Sequence, residues 1–203
     1  MIIPDFIARL TLSISSQMVA ILALAAGLIL VLARSDSMLI LGLLAAYLAA
    51  AVLLAGTATS ELAVVALLVG IFVALVMQLT AADRRSQMHT APNDPTTAAV
   101  RFLVTILMVW FAASLGVFSR PPDPWQLAEV WLLMASAVAL LTTTDPFRVG
   151  IALLVITAAA MVFFATGTSE SSLLVEGLIA SAAFAIALST SHLALEPGEG
   201  RRP

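Results

Sequence analysis

Apolar runs of about 20 residues alternate with short polar segments along almost the whole of this 203-residue chain. A helix that rises about 1.5 Å per residue needs roughly 18–22 such residues to cross a hydrocarbon core about 30 Å thick. The pattern therefore predicts an all-α membrane bundle of seven transmembrane helices, over residues 12–33, 38–55, 62–82, 98–118, 126–144, 147–166 and 171–192.

The composition supports this prediction, since 62% of the residues are hydrophobic and 10% are charged, against about a quarter charged in a soluble domain. The runs lack the alternation of apolar and polar residues that a membrane β-barrel requires. The first run follows Met1 closely and is full length, so we expect a retained helix rather than a cleaved signal. The absence of cysteine excludes disulfides, thiolate metal sites and thiolate-bound iron–sulfur clusters.

The distribution of arginine predicts the orientation of the helices, since the chain contains no lysine. Arg9 and Arg120 lie on one side of the predicted bundle, and the other seven arginines lie at the opposite side. By the positive-inside rule, the amino terminus faces outward and the carboxyl terminus faces the cytoplasm. We therefore expect a multi-pass protein of the inner membrane of a bacterium or archaeon, with the proline-rich segment 120–125 outside.

The chain also matches itself when it is shifted by 109 residues. Asp36 then falls on Asp145, and the polar segment 57–61 (TATSE) falls on 166–170 (TGTSE). The match predicts a parallel duplication about an axis along the membrane normal, in which helices one to three correspond to helices five to seven. The expected organisation is a first repeat (1–82), a loop with a linker helix (83–124), a second repeat (125–192) and a cytoplasmic tail (193–203).

Four acidic residues stand at predicted helix starts. Glu61 and Glu170 follow a serine, so they are candidate helix caps, or else groups for proton entry or partner contact at the outer face. Asp36 and Asp145 precede helices two and six, where they would lie at the cytoplasmic face. Arg34 and Arg148 lie at the same face.

Two further acids lie inside predicted helices and are the candidates for a proton path or for coupling. Glu176 is about five residues into the last helix and Glu129 about three into the fifth. An ionised carboxylate facing lipid at the depth of Glu176 would be costly, so this residue is expected to face protein or water. The alternative for both is an acid at a helix end whose charge reaches the interface.

The remaining polar residues predict no catalytic, cofactor or metal site. His89 and His192 each lack a second histidine or acid at helical spacing. A stand-alone carrier would need ionisable groups at the midplane, where this chain has alanine, leucine and valine. A membrane enzyme would need a convergent cluster of acids, bases or metal ligands.

The layout of three helices, a linker helix and three helices, with Arg34-Ser35-Asp36 after helix one and residues 172–180 (SLLVEGLIA) opening helix seven, resembles the E component of hydrogenase-4-type, formate hydrogenlyase-like membrane complexes. Each triplet is also similar to the K subunit of complex I and the C subunit of multi-subunit sodium/proton antiporters. That K subunit carries buried glutamates in its second and third helices. Here the second-helix counterparts, around Ala46 and Val155, are apolar, and Glu176 stands for the third.

The resemblance implies a membrane subunit that packs beside antiporter-like subunits, with no catalytic activity of its own and no nucleic acid partner. The pumping subunits of that superfamily use buried lysines, which this chain lacks, so the resemblance implies a supporting role in coupling. A structural membrane subunit of an unrelated respiratory, photosynthetic or secretion complex is the alternative, and a small carrier is a weaker one.

Overall fold

The computed structural model describes residues 16–33, 35–57, 60–87, 95–114, 124–167 and 173–195. Within these residues the chain forms α-helices and no β-strand. The described helices are α1 (Ser16–Leu32), α2 (Asp36–Thr57), α3 (Ser60–Gln87), α4 (Pro95–Ser114), α5 (Pro124–Thr142), α6 (Pro146–Gly167) and α7 (Leu173–Leu195). They confirm the predicted all-α bundle.

Four of these helices are long and apolar enough to cross a membrane, over Asp36–Ala55, Ser60–Arg84, Pro146–Phe164 and Leu174–Leu195. The other three contain shorter apolar stretches, over Ala20–Leu32, Ala98–Ser114 and Gln126–Thr142. This architecture is that of a helical membrane bundle and is compatible with a multi-pass membrane protein.

The starts of α2 and α6 are set by local polar contacts. The backbone N–H of Phe147 donates to Asp145 Oδ1 over 3.3 Å, so Asp145 caps α6, with Pro146 in the first helical position. At α2 the cap is Ser35 rather than Asp36, because Ser35 Oγ accepts a hydrogen bond from the backbone N–H of Met38 over 3.4 Å and the Ser35 carbonyl oxygen accepts from Leu39. Asp36 is therefore the first residue of α2 rather than a residue before it.

The bundle has two layers of three helices, α1–α2–α3 and α5–α6–α7. Each helix of one layer packs along the corresponding helix of the other: α1 on α5, α2 on α6 and α3 on α7. Helix α4 lies at one edge, where it contacts α1 and α5. The buried core is formed by the faces between and within the layers.

Hydrogen bonds between the layers join residues that are nearly one repeat apart. Trp131 Nε1 donates to the Leu24 carbonyl, Tyr47 bonds Thr157, and Thr80 bonds Ser191. The partners are separated by 107, 110 and 111 residues, close to the shift of 109 at which the sequence matches itself. At these three positions, a residue of the first layer therefore lies within about two residues along the chain of the level of its counterpart in the second.

This pairing differs from a two-fold rotation about the membrane normal. A two-fold axis would place α1 against α7 and α3 against α5, whereas the extensive contacts are α1 on α5 and α3 on α7. The two layers are thus related mainly by a sideways displacement, with the helices of each pair parallel.

Glycine allows the closest approaches inside a layer. A β-carbon on Gly70 of α3 would overlap Cβ of Tyr47 on α2, and one on Gly150 of α6 would overlap the Thr190 side chain on α7. Without these glycines the neighbouring helices would be pushed apart, because membrane helices associate through close packing of small residues.

Candidate functional site

Glu129 lies on the buried face of α5, near the start of the helix. Its side chain is 8% exposed, although it is only six positions into α5. Its side chain lines a small cavity between α1, α2, α5 and α6. The cavity is lined by Glu129 together with Ala23, Ala49, Ala50, Leu53, Leu132, Ala158, Ala159 and Val162.

Among the described residues, those that surround Glu129 are apolar. Small residues at equivalent repeat positions, Ala49-Ala50 on α2 and Ala158-Ala159 on α6, form two of the walls. They leave a cavity of about 10 Å³, close to the smallest volume that holds one water molecule. Glu129 Oε1 has no hydrogen-bond partner among the described residues.

Glu176 is buried in the first turn of α7, where it is 3% exposed. It begins a stripe of small buried residues, Ala180, Ala183 and Ala187, at alternating spacings of four and three. This stripe is the face that α7 presents to α3 and α6. Within the described part of the chain, Glu176 Oε1 likewise has no hydrogen-bond partner.

The two glutamates lie at the same end of the bundle, which we call the glutamate end, because α5 and α7 both run antiparallel to α6. They do not form one site, since Glu129 faces the α1–α2–α5–α6 cavity and Glu176 lies on the far side of α6, toward α3. The structure thus places two separate buried carboxyl groups on either side of one helix.

The opposite end holds Arg84, Arg101, Asp145 and Arg148, and we call it the arginine end. Asp145 forms an ion pair with Arg84 of α3 over 3.2 Å and a longer one with Arg148 over 3.8 Å. Arg84 also lies over the ring of Phe147, 5.0 Å from its centroid. The predicted cytoplasmic-face residues Asp145 and Arg148 are therefore brought together, and Arg84 joins them.

Arginines also cover the last carbonyl groups of α1 and α5. Arg148 Nη1 donates to the Ala33 carbonyl over 3.3 Å, and Arg101 Nη2 donates to the Thr142 carbonyl over 2.9 Å. Ala33 and Thr142 are equivalent repeat positions. The carbonyl group at the end of each helix therefore accepts a hydrogen bond from an arginine, but the two arginines come from different helices. Cations are favourable there because the final carbonyls of a helix lack partners and carry negative partial charge.

Two other predicted residues lie in the first turns of their helices. Glu61 is exposed in the first turn of α3, and Asp36 is partly exposed in the first turn of α2. Glu170 and Arg34 lie outside the described residues.

Two polar contacts between the layers were not predicted from the sequence. Tyr47, the single tyrosine, and Thr157 share a buried hydrogen bond of 2.7 Å, and the Thr157 hydroxyl also bonds the Leu154 carbonyl. Thr80 donates to Ser191 over 2.8 Å. Their one sequence signal is that both pairs are separated by nearly the repeat length.

No group of three histidine, cysteine, aspartate or glutamate side chains that could hold a metal ion occurs in the parts of the chain described above. Comparison with known proteins gives no matching family model, no matching curated protein and no matching solved structure. Inferences about function therefore depend on the geometry of the two ends.

Proposed function

We propose that this chain is an integral membrane subunit of a complex I-like or hydrogenase-4-like ion-translocating oxidoreductase, in the cytoplasmic membrane of a bacterium or archaeon. It packs beside antiporter-like subunits, with its amino terminus outside and its carboxyl terminus in the cytoplasm. One observation carries the proposal: Glu129 and Glu176 are buried carboxyl groups, each with an oxygen lacking a partner among the described residues.

The chemistry of such a carboxyl group favours proton binding. An ionised carboxylate in an apolar interior loses its hydration and is costly unless it is paired. At Glu129 the surrounding alanine, leucine and valine side chains offer no counter-charge. Protonation removes the charge, and release of the proton requires water or a polar group to reach the site. Whether the carboxyl group carries a proton thus depends on whether water reaches it.

The arrangement supports a role in coupling rather than in complete translocation. The two carboxyl groups lie at one end of the bundle and on opposite sides of α6, so neither passes a proton directly to the other. A continuous path requires groups from a neighbouring subunit. This requirement agrees with a protein that works inside a larger complex, where other chains carry the electrons and the lysine-dependent steps.

A structural membrane subunit is the second candidate. It is favoured because Glu129 is the one polar residue among the described residues that line its cavity. A protein of this kind would keep both glutamates permanently neutral, and their chemistry would have no consequence for activity.

The deciding experiment replaces each buried glutamate with glutamine in the complex purified from native membranes. Glutamine keeps the shape and most of the hydrogen-bonding capacity but cannot carry a proton. We expect Glu129→Gln and Glu176→Gln to leave assembly intact on a native gel and to reduce proton uptake in reconstituted vesicles about tenfold, a barrier change of about 1.4 kcal/mol. Asp36→Asn is the matched control, because Asp36 is a partly exposed acid at the opposite end of the bundle and its replacement should give normal uptake.

Each other outcome rejects part of the proposal. Normal uptake with intact assembly in both variants would remove the glutamates from the mechanism and leave the structural alternative. Loss of assembly would indicate a charge pair with another chain, since removing one partner of a buried pair costs about 3–5 kcal/mol.

A further inference from the structure

The sideways relation between the two layers has a consequence for their outer faces. When one layer is a displaced copy of the other, the outer face of α5–α7 corresponds to the face of α1–α3 that receives α5–α7. Likewise, the outer face of α1–α3 corresponds to the inner face of α5–α7. The chain therefore carries, on its two outer sides, the two halves of an interface that it already forms internally.

The positions of this second interface follow from the contacts of the first. Tyr47 contacts Thr157, and a shift of both by one repeat length of 109 gives Ile156 on α6 and Leu48 on α2. The hydrogen bond becomes an apolar pair, which suits two surfaces that meet inside a membrane. Leu48 is 42% exposed and Ile156 is partly exposed, so both are accessible.

Two contacts between α3 and α7 give two more pairs. Thr80 bonds Ser191, and the shift gives Ser189 and Ala82. The rings of Phe72 and Phe184 lie 5.0 Å apart, and the shift gives Ser181 and Leu75. The four shifted residues are all exposed, with Leu75 at 57%.

We propose that a second copy of this chain binds here, with the outer face of its α2 and α3 on the outer face of α6 and α7 of the first. A second copy is the occupant because both complementary faces are present on one chain, and neither is covered by α4, which lies along α1 and α5. The interface is heterologous, so a turn between successive copies closes a ring, and a pure displacement continues as a row. The proposal is independent of proton binding by the glutamates.

The absence of native cysteine allows a direct test by disulfide cross-linking. Two differently tagged chains are co-expressed, one with Leu75→Cys and the other with Ser181→Cys, and their native membranes are oxidised with copper phenanthroline. A second pair combines Ala82→Cys with Ser189→Cys. We expect a disulfide-linked dimer carrying both tags for each matched pair, at least tenfold above the mismatched combination of Leu75→Cys with Ser189→Cys.

An internal pair provides the positive control. Thr80→Cys and Ser191→Cys in one chain replace hydroxyl groups that are 2.8 Å apart, so they should form an intramolecular disulfide. Formation of this disulfide without dimers from the matched pairs would overturn the proposal. Equal dimer yields from matched and mismatched pairs would overturn it as well, because they would indicate random collision.

A bulky substitution within the proposed interface tests whether the two faces are in contact. Ala185 is exposed on α7 between Ser181 and Ser189, so Ala185→Trp should reduce cross-linking between Leu48→Cys and Ile156→Cys at least fivefold. Leu107→Trp on α4 is the matched control, since Leu107 is 63% exposed on a helix away from the proposed interface. Undiminished cross-linking in the Ala185→Trp variant would place the two chains in some other arrangement and reject the proposed face.

Discussion

The arginine end and the glutamate end of this bundle differ in how their ionisable side chains are paired. At the arginine end, Asp145 pairs with Arg84 and Arg148, and two helix ends receive hydrogen bonds from guanidinium groups. At the glutamate end, Glu129 and Glu176 are more deeply buried than Asp145, yet each has an oxygen without a partner among the residues described. Ion pairs and guanidinium hydrogen bonds thus join helices at the arginine end, where Arg101 Nε is the one buried polar atom found without a partner among the described residues, whereas at the glutamate end both buried carboxyl groups have such an atom.

The contrast indicates which charged groups stabilise the fold. A buried polar group without a partner destabilises the fold, because nothing offsets the free energy of its desolvation. In a capping or paired group, the hydrogen bond or ion pair offsets part of that free energy. The ion pairs of the arginine end join α3 to the start of α6, and its carbonyl caps join α6 to α1 and α4 to α5. Within the described chain, by contrast, Oε1 of each buried glutamate has no hydrogen-bond partner through which it could join two helices.

The largest expected effect comes from removal of Asp145. Asp145→Ala removes the cap of α6, worth about 1 kcal/mol, and two partly exposed ion pairs worth up to about 1 kcal/mol each. We expect the free energy of unfolding in mixed micelles to fall by about 2 kcal/mol. Asp145→Asn keeps an oxygen that can cap the helix and should lose only about 1 kcal/mol.

Asp36→Ala is the matched control at the equivalent repeat position. Ser35 rather than Asp36 caps α2, so loss of Asp36 should cost only the interaction of its charge with the helix dipole, about 0.5 kcal/mol. Equal losses in Asp145→Ala and Asp36→Ala would show that neither the cap nor the ion pairs of Asp145 add measurably to the stability of the arginine end.

At the glutamate end, replacement of a buried acid is not expected to lower the free energy of unfolding. Glu129→Met and Glu176→Met replace a buried carboxyl group with an apolar side chain of similar length. Because no hydrogen bond to Oε1 is lost within the described chain, we expect the stability to stay constant or rise by about 1 kcal/mol. The measurement is the same unfolding experiment, with the isolated chain so that no partner subunit contributes.

A fall of more than about 1 kcal/mol in either methionine variant would contradict this difference between the ends. It would mean that the carboxyl group gains a hydrogen bond from a water molecule or a neighbouring group, as a cavity of about 10 Å³ beside Glu129 allows for one water.

The sequence predicts the helices well because length and apolar character alone determine them. It predicts the interior poorly, since the helices are apolar on all sides and no polar face shows which side is buried. Glu129 was therefore open to interpretation as a helix-end acid, although it faces the α1–α2–α5–α6 cavity. The extension of α3 to Gln87, past the predicted end at residue 82, also depends on the bundle, because Arg84 pairs with Asp145 of the α5–α6 turn.

The repeat was the one sequence signal with information about tertiary structure. It predicted which helices correspond, and the layers pair corresponding helices with nearly the same separation. It did not predict the sideways displacement, since a sequence match is the same for rotation and for translation.

A small effect is expected midway between the two ends, at the hydrogen bond of Tyr47 with Thr157. Tyr47→Phe removes one hydroxyl group, and Thr157 keeps its bond to the Leu154 carbonyl, so no buried group is left unpaired. The loss should be about 0.6 kcal/mol, the average for hydrogen bonds between membrane helices. Thr157→Val leaves the buried tyrosine hydroxyl without this hydrogen-bond partner, so the free energy of unfolding should fall by about 1–2 kcal/mol. The double variant measures the coupling between them. A coupling energy above about 2 kcal/mol would make this pair, rather than the ion pairs of the arginine end, the main polar tie between the layers.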